Sequence, residues 1–401
     1  MPKLRFMLLA TLVAVSAVVA ASASAAPGGP PPPPPAHGGP PPPPPHGPPP
    51  SRVVGQLYVN DNTADVNTVA GFDRHEDGTL TPLAGSPFAV GGSGAGHSTA
   101  SQGSLELSSD GRFLLAVDTG SNQISVLRIA HDGSLQQTDL ESSSGVTPVS
   151  IAEYHGLVYV ANAGDPSPNY TGFSLDASGH LTPIAGSTVS LPTGSQPGDV
   201  LFSGDGRKVV GTRVGTSMID SFTVGLGGIL SASPGSPYAA QGVGPFGSEF
   251  RPTDPSQLFV SNAHNGGIAG TVSAFSDGAD GTLASIGSSP FADNQSAPCW
   301  VEITRDGKYL FAINTGNSTI SSFSIAKNGF LALIGSSAFK DGAVGAEDAR
   351  LAPDGKTLWV VEAGKNAIAG FDVVNGGFLA ELPGSATPGP AGATPAGIVL
   401  T

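Results

Sequence analysis

Short apolar segments separated by glycine-containing turns recur along the chain from about residue 53 to the C-terminus. At seven places an aromatic residue or Leu at the end of an apolar run is followed eight residues later by a Leu that has Gly two positions before it. The seven pairs are Phe72/Leu80, Leu127/Leu135, Phe173/Leu181, Phe222/Leu230, Phe275/Leu283, Phe323/Leu331 and Phe371/Leu379. Turns such as Asp77-Gly78 lie between the members of a pair and supply the positive φ that a tight hairpin needs. Each repeat therefore predicts a β-hairpin.

Two further strands per repeat are predicted on either side of a second Asp-Gly turn. An apolar or mixed triplet precedes this turn and a longer apolar run follows it; examples of the triplet are Leu105-Glu106-Leu107, Val301-Glu302-Ile303 and Ala349-Arg350-Leu351. Successive hairpin Leu residues are 55, 46, 49, 53, 48 and 48 residues apart, which is typical of one four-stranded antiparallel blade per repeat. The pattern predicts an all-β domain over residues 53–401, a seven-bladed β-propeller.

The order of strands within the repeats is permuted. The pattern begins with a second strand at residues 57–60 and ends with an additional first strand within residues 394–401. We expect the C-terminal strand to complete the first blade, which closes the ring and removes exposed strand edges. A stacked solenoid, the competing architecture for repeats, would not need this permutation.

The N-terminal region has the layout of an export signal. Lys3 and Arg5 precede an apolar run over residues 6–20 and a small-residue stretch, so residues 1–25 are predicted to be a signal peptide. Residues 26–52 form a Pro/Gly-rich segment with two runs of six prolines, a composition that cannot build a packed core and predicts a disordered linker. A Pro-rich ligand for an aromatic groove is the alternative. We expect the protein to be secreted, periplasmic or on the cell surface.

Charge and cysteine content restrict the partners. The chain carries 17 Lys and Arg against 31 Asp and Glu, a formal net charge of −14, which argues against nucleic acid and anionic membranes as partners. The single cysteine, Cys299, excludes an intramolecular disulfide and is expected to be a small buried hydrophobe. No transmembrane segment is predicted, and the expected state is a monomer.

A recurring second-strand signature indicates a family. It reads Tyr58-Val59-Asn60, Tyr159-Val160-Ala161-Asn162, Phe259-Val260-Ser261-Asn262 and Phe311-Ala312-Ile313-Asn314. Together with the preceding Asp-Gly-Lys/Arg turns, this repeat of the Tyr-Val-x-Asn type resembles the lactonase family of seven-bladed propellers, which includes 6-phosphogluconolactonase and carboxymuconate-cyclising types. The resemblance implies the propeller fold and lactone hydrolysis.

The residues to which the family's catalysis is attributed are not found at the matching positions. The resemblance implies a His and an Arg at the starts of first strands in adjacent blades and a Glu just after a second-strand Asn. Those positions carry Gly103, Val149 and Ala163 here. Across the seven blades the first-strand position reads Gly103, Val149, Gly198, Phe246, Cys299, Glu347 and Ala396. The expected catalytic set is therefore absent from the sequence.

Other polar residues are predicted at the mouth of the central channel, where first strands start and second strands end. The catalytic candidates among them are Asp61, His97, Asp118, Arg213 and Glu347. His97 lies in a Gly/Ser-rich loop and is a candidate general base or a solvated loop residue. Arg213 is a candidate anion-binding group or one half of a salt bridge. The recurring Asn and Asp residues are candidate Ca²⁺ or Mg²⁺ ligands, or caps of strand ends.

Two functional hypotheses follow. The first is a non-catalytic propeller that binds a small sugar, a lactone, a cell-wall component or a protein at its channel mouth or on its rim, and the absence of the expected catalytic set favours it. The second is an active lactone hydrolase of 6-phosphogluconolactonase type that uses a rearranged site at the channel mouth, and the full-length resemblance favours it.

Overall fold

The computed structural model describes residues 51–342 and 345–401. The predicted signal peptide and all but the end of the predicted linker lie outside the described residues. Seven separate antiparallel sheets, each with a four-stranded path, form the propeller, as the sequence predicted. In each sheet the innermost strand faces the central channel and the hairpin strands lie outermost.

The strands fall into blades as follows. Blade 1 contains β1 (Val53–Asn60), β2 (Thr68–His75), β3 (Leu80–Pro82), β4 (Phe88–Ala89) and the C-terminal β33 (Gly397–Leu400). Blade 2 contains β5 (Leu105–Leu107), β6 (Phe113–Asp118), β7 (Gln123–Ile129) and β8 (Leu135–Ser142). Blade 3 contains β9 (Pro148–Tyr154), β10 (Leu157–Asn162), β11 (Asn169–Leu175), β12 (Leu181–Pro183) and β13 (Val189–Ser190). Blade 4 contains β14 (Pro197–Phe202), β15 (Lys208–Arg213), β16 (Met218–Val224), β17 (Leu230–Ala232) and β18 (Tyr238–Ala239).

The remaining blades repeat the arrangement. Blade 5 contains β19 (Pro245–Arg251), β20 (Asp254–Asn262), β21 (Thr271–Asp277), β22 (Leu283–Ser285) and β23 (Phe291–Ala292). Blade 6 contains β24 (Pro298–Ile303), β25 (Tyr309–Asn314), β26 (Thr319–Ile325) and β27 (Leu331–Ala338). Blade 7 contains β28 (Ala346–Leu351), β29 (Thr357–Glu362), β30 (Ala367–Val374), β31 (Phe378–Glu381) and β32 (Thr387–Pro388). Two 3₁₀ turns lie at Leu226–Gly228 and Ala363–Lys365.

The ring closes between the ends of the domain. The C-terminal β33 pairs antiparallel with β1, and the register sets Leu57 opposite Leu400 and Asn60 opposite Gly397. Blade 1 therefore obtains its innermost strand from the end of the chain, which confirms the predicted closure.

Apolar side chains pack between neighbouring blades. Phe113 and Leu115 of blade 2 cluster with Ile151, Val160 and Phe173 of blade 3, and all are at least 99% buried. Tyrosines add polar links across such interfaces, because the Tyr58 hydroxyl donates to the carbonyl of Gly133 in the next blade at 2.8 Å. Gly133 lies in a hairpin turn with φ of 80°, a conformation that favours glycine. The turn glycines and aromatic positions thus explain how the repeats pack as blades.

Candidate functional site

The two aspartates predicted at the channel mouth are buried and hydrogen-bonded. Asp61 is 1% exposed and accepts a hydrogen bond from the Thr68 hydroxyl at 2.7 Å. Asp118 is fully buried and accepts from Asn67 at 2.9 Å and from the Ser125 hydroxyl. Burial raises the pKa of Asp61 to about 7 and that of Asp118 to about 6. Both carboxyls accept hydrogen bonds from residues of blades 1 and 2, and Asp61 Oδ1 has no hydrogen-bond partner in the described residues.

Arg213 is paired within its own blade. Its Nε donates to Asp220 Oδ2 at 2.6 Å and its Nη2 to Asp220 Oδ1, a bidentate arrangement. The Tyr170 hydroxyl donates to the same carboxylate at 3.2 Å. The structure places Arg213 in the salt bridge that was one of its two interpretations.

His97 and Glu347 occupy different environments near the mouth. His97 is exposed, and its Nδ1 lies 3.0 Å from the Ser98 carbonyl oxygen. Glu347 is 4% exposed, and burial raises the pKa of its carboxyl to about 7 although the nearby Ser98 hydroxyl opposes the shift. Within residues 51–342 and 345–401, no hydrogen bond joins any two of the five predicted catalytic candidates. The structure brings them to one end of the propeller without assembling them around one reacting position.

A short segment before β5 crosses the central channel. The Ser101 carbonyl accepts from Trp300 Nε1 of blade 6 at 2.8 Å, and Gln102 Oε1 accepts from the Val301 amide at 3.1 Å. Gln102 Nε2 donates to the Ser248 carbonyl of blade 5 at 3.1 Å, and the Gln102 amide donates to the carbonyl of Gly198 in blade 4 at 2.9 Å.

Two further bonds tie this segment to blade 3. The Ser101 hydroxyl donates to the Val149 carbonyl at 2.7 Å, and the Ile151 amide donates to the Gly103 carbonyl at 2.8 Å. Ser101 is fully buried and Gln102 is 2% exposed. We call residues 101–103 the plug, because they are hydrogen-bonded to four blades around the channel.

Below the plug lies a cavity of about 350 Å³, the inner cavity. It is lined by Glu106, Glu249, Glu302 and Arg350, together with Asp199, Glu153, Tyr154, Phe202 and residues of the plug. The first four belong to β5, β19, β24 and β28, and each pairs with the residue that lies three positions before the last residue of the second strand of its blade. The partners are Leu115, Phe259, Phe311 and Trp359. Equivalent positions on four innermost strands thus project charged groups at one level of the channel.

Arg350 is the one basic side chain among the described residues that line the inner cavity. Its Nη1 lies 3.6 Å from Glu302 Oε2 and 3.5 Å from Asp348 Oδ1, and it donates to the Ala349 carbonyl at 3.1 Å. Glu302 also accepts from the Leu351 amide at 2.9 Å. These distances leave the guanidinium only loosely paired.

The environment of the inner cavity raises the pKa of its carboxyl groups. Burial raises the pKa of Glu106 to about 8 and those of Glu302 and Asp199 to about 7, although Arg350 favours the ionised forms. Burial and the neighbouring Glu302 raise the pKa of Glu249 well above its usual range. Burial alone would lower the pKa of Arg350, but the surrounding carboxylates outweigh it and hold the guanidinium charged. Cavities with groups perturbed in this way are candidate functional sites.

Sequence analysis missed the inner cavity although the signal was present. The three triplets that defined first strands each have a charged residue at the centre, Glu106, Glu302 or Arg350. Side chains alternate between the two faces of a strand, so each of these charged residues lies on the opposite face of its blade from its two neighbours in the triplet, and on an innermost strand this position borders the channel. The predicted site residues lie at the starts of first strands and the ends of second strands, whereas these charged residues lie at the centres of first strands.

The expected metal ligands at the mouth receive no support from the geometry. In the part of the chain that the structure describes, no three His, Cys, Asp or Glu side chains are grouped as ligands of one metal ion. Asn60 donates to the Ser104 and Val117 carbonyls, both at 3.1 Å, as a strand-end cap does. Cys299 is 8% exposed, and burial raises the pKa of its thiol to about 12, so it is a buried hydrophobe. None of the described residues belongs to a helix that could span a membrane.

The fold and channel define a seven-bladed β-propeller with a plugged mouth and an acid-lined inner cavity. The sequence profile of the family described as "Lactonase, 7-bladed beta-propeller" matches residues 65–202 and 250–393, most of the chain. The chain therefore belongs to this lactonase family.

Solved structures share this fold. A protein of Bacteroides uniformis whose proposed activity is that of a 6-phosphogluconolactonase aligns with a TM-score of 0.71 at 21% identity, over 86% of this chain and 99% of that chain. The periplasmic gluconolactonase of Pseudomonas aeruginosa aligns with a TM-score of 0.69 at 17% identity, over 86% and 99% of the two chains. No curated protein matches significantly. At these identities the likeness establishes the shared fold and not the activity.

Proposed function

We propose that the protein is a ligand-binding propeller that holds a small sugar, a lactone or a related cell-wall component in the inner cavity. The observation that carries the proposal is the projection of Glu106, Glu249, Glu302 and Arg350 from equivalent strand positions into one cavity. Carboxylates accept hydrogen bonds from hydroxyl groups, and Arg350 donates to ring or carbonyl oxygens. Tyr154 and Phe202 add apolar surface for the face of a ring.

The plug supports binding over hydrolysis at the mouth. Gly103 occupies the position at which the family resemblance implies a catalytic His, and the two residues before it make hydrogen bonds to blades 4, 5 and 6. A lactone at the mouth would meet a buried Asp118, a paired Arg213 and an exposed His97. Lactone hydrolysis needs a base and an oxyanion donor on one reacting carbonyl, and these groups do not converge.

A second candidate function is lactone hydrolysis inside the inner cavity. The observation that favours it is the raised pKa of Glu302 and Glu106 beside Arg350. In its ionised form Glu302 would take a proton from water while the oxygen of that water attacks the lactone carbonyl, and Arg350 would donate to the developing oxyanion. The ring C–O bond would then break. The alkoxide that leaves would take the proton held by Glu302, which gives the open hydroxy acid.

We also propose that the protein acts outside the cytoplasm, as a monomer. The basic, apolar and small-residue order of residues 1–25 supports export, and the acidic composition supports a partner other than nucleic acid.

A combined binding and turnover assay tests these proposals. The purified protein would be titrated calorimetrically with gluconolactone, gluconate and glucose, and hydrolysis of gluconolactone would be followed by acid release. Glu302→Gln changes the inner cavity, and His97→Ala is the control at the mouth. Binding that Glu302→Gln weakens, without turnover above the buffer rate, is the expected result.

The alternatives give distinct results. Turnover that Glu302→Gln abolishes and His97→Ala preserves would establish the second candidate function. Turnover that depends on His97 would mean that the active site lies at the mouth and would overturn the proposal. The absence of both binding and turnover would also overturn it.

A further inference from the structure

We propose that two copies of the protein pair reversibly along the outer edge of β27 in blade 6, so that each strand extends the sheet of the other copy. This edge lies on the rim of the ring and outside the inner cavity, so the pairing goes beyond the proposed function. The protein stays the proposed monomer in dilute solution and pairs where its local concentration is high.

Blade 6 has a long outer edge without charge. In five blades the outermost strand is split into two short strands, as β3 and β4 are in blade 1. Blades 2 and 6 keep an outermost strand of eight residues, β8 and β27. β8 carries Asp139 and Glu141, whereas β27 carries no Asp, Glu, Lys or Arg. Charged side chains and short strands protect the edges of sheets from pairing, and β27 has neither protection.

Two backbone amides of β8 point away from blade 2. The Leu140 amide donates to Asp139 Oδ1 and the Ser142 amide donates to Glu141 Oε1, both at 2.9 Å. Backbone amides alternate in direction along a strand, so residues two apart share one side. The outer edge of blade 2 therefore satisfies its own outward donors with carboxylates and leaves none for another chain.

The equivalent amides of blade 6 have no such cover. The register of β27 on β26 repeats that of β8 on β7, bulge included, and it places Ser336 and Ala338 at the positions of the two outward amides. The positions of the two carboxylates hold Gly335 and Ser337. Ser336 and Ala338 are exposed, and outside the sheet none of residues 51–342 or 345–401 accepts a hydrogen bond from their amides.

The other blades lack one of these donors or the length of the strand. Proline has no amide hydrogen. In four blades a proline stands at one of the two outward positions, and these prolines are Pro87, Pro237, Pro290 and Pro388. Blade 3 has Thr188 at the position of Ser336, but the β13 that follows is two residues long. In the described structure, blade 6 alone combines a long outer strand with two uncovered outward amides.

A second copy of the chain fits this edge. In an antiparallel pair about a twofold axis at Ser337, Ser336 of each copy lies opposite Ala338 of the other, and each of the two residues donates to and accepts from its counterpart. Two molecules with a net charge of −14 repel one another, so their contact needs a stretch free of carboxylates, as β27 is. A Cβ placed on Gly335 would meet no atom within 4 Å, so a second backbone has room to approach.

The pairing is expected to be weak. One short strand from each copy buries much less than the roughly 1,600 Å² of a standard protein interface. We therefore expect a dissociation constant of about 100 µM, with the monomer predominant below about 10 µM.

Sedimentation equilibrium of the full-length protein from about 5 to 500 µM tests the pairing. Ser336→Pro introduces the proline of blades 1, 4 and 5, and Ser337→Glu introduces the carboxylate of blade 2 beside the Ala338 amide. Each change should raise the dissociation constant at least about tenfold. Thr188→Pro, the same change at the equivalent position of blade 3, is the matched control and should pair like the wild type. Hydrogen exchange of the Ser336 and Ala338 amides should slow as the concentration of the wild type rises.

A wild type that stays monomeric at every concentration would overturn the proposal, as would a dimer that neither β27 variant weakens. An equal loss with Thr188→Pro would also overturn it, because the contact would not be specific to blade 6. Binding of a synthetic peptide of residues 331–338 by a protein that does not self-associate would replace the second copy with an extended peptide of another protein. Circular dichroism of the variants excludes unfolding. Gluconolactone binding by the same samples does not depend on pairing, so a failure of the pairing leaves the proposed function standing.

Discussion

Replacing Glu106 with Gln should make the protein more stable at alkaline pH. Glu106 projects into the inner cavity without a hydrogen-bond partner in the described residues, and burial raises its pKa to about 8. The ionised carboxyl is therefore disfavoured in the folded state. Gln has nearly the same shape and no charge, so the change removes an electrostatic penalty without leaving a void.

The expected gain in the free energy of unfolding follows from the size and direction of the pKa shift of Glu106. The ordinary pKa of the carboxyl is 4.5 and the folded value is about 8, so the folded state binds the proton more tightly. The contribution of the protonated carboxyl to folding stability is complete below pH 4.5 and is lost as the pH rises through 8. One pKa unit corresponds to about 1.4 kcal/mol, which sets an upper bound of about 4 kcal/mol at pH 8. Glu106 is only partly buried, so water in the cavity screens the charge, and we expect about 1–3 kcal/mol.

The assay is thermal unfolding of the wild type and Glu106→Gln across a pH series. The variant should unfold at a temperature several degrees higher at pH 8 and at the same temperature below pH 4.5. Glu76→Gln, in an exposed hairpin turn, should follow the wild type throughout. A Glu106→Gln variant that is less stable than the wild type at pH 8 would refute the reasoning, because it would mean that the carboxylate has a stabilising partner.

Three further changes test other parts of the structure. Arg350→Met should cost about 3–5 kcal/mol at neutral pH in urea unfolding, because it leaves buried carboxylates unpaired, and less at pH 5, where they are protonated. Arg213→Met should cost a similar amount, since Asp220 loses its bidentate partner, and a loss below about 1 kcal/mol would contradict the salt-bridge assignment. Gln102→Ala should cost about 2–4 kcal/mol, because the Val301 amide and the Ser248 carbonyl lose their partner in the channel.

The repeat pattern was sufficient to predict the fold. The eight-residue spacing from Phe72 to Leu80 and its equivalents is a local property, because a tight turn with glycine at positive φ fixes the length of each hairpin. The closure by residues 397–400 could also be predicted, since a leftover first strand at the C-terminus has only one unpaired partner. Both inferences need only the pairing rules of strands.

The site was harder to predict because it depends on contacts between distant blades. Asp118 and Arg213 are at the strand ends where the sequence placed them, but their partners Ser125 and Asp220 follow on the next strand and hold them in structural roles. Gln102 lies in a Gly/Ser-rich stretch, and no local pattern indicates that it bonds to Ser248 and Val301, 146 and 199 residues away. The layer of charges has a local signal, because strand alternation places the charged centre of each triplet on the face opposite its two neighbours.

The plug also constrains how the ring can be assembled. Residues 101–103 belong to blade 2, but they hydrogen-bond to blades 3, 4, 5 and 6, all of which follow them in the chain. During synthesis this segment is therefore made before its hydrogen-bond partners. The partners follow up to 200 residues later in the chain, and Trp300 is separated from Ser101 by 199 residues. Its hydrogen bonds can form only after these later blades have been made. A circular permutation that cuts the chain between two outer hairpins keeps the plug in one piece, whereas one that cuts within residues 97–103 separates it from the chain on one side.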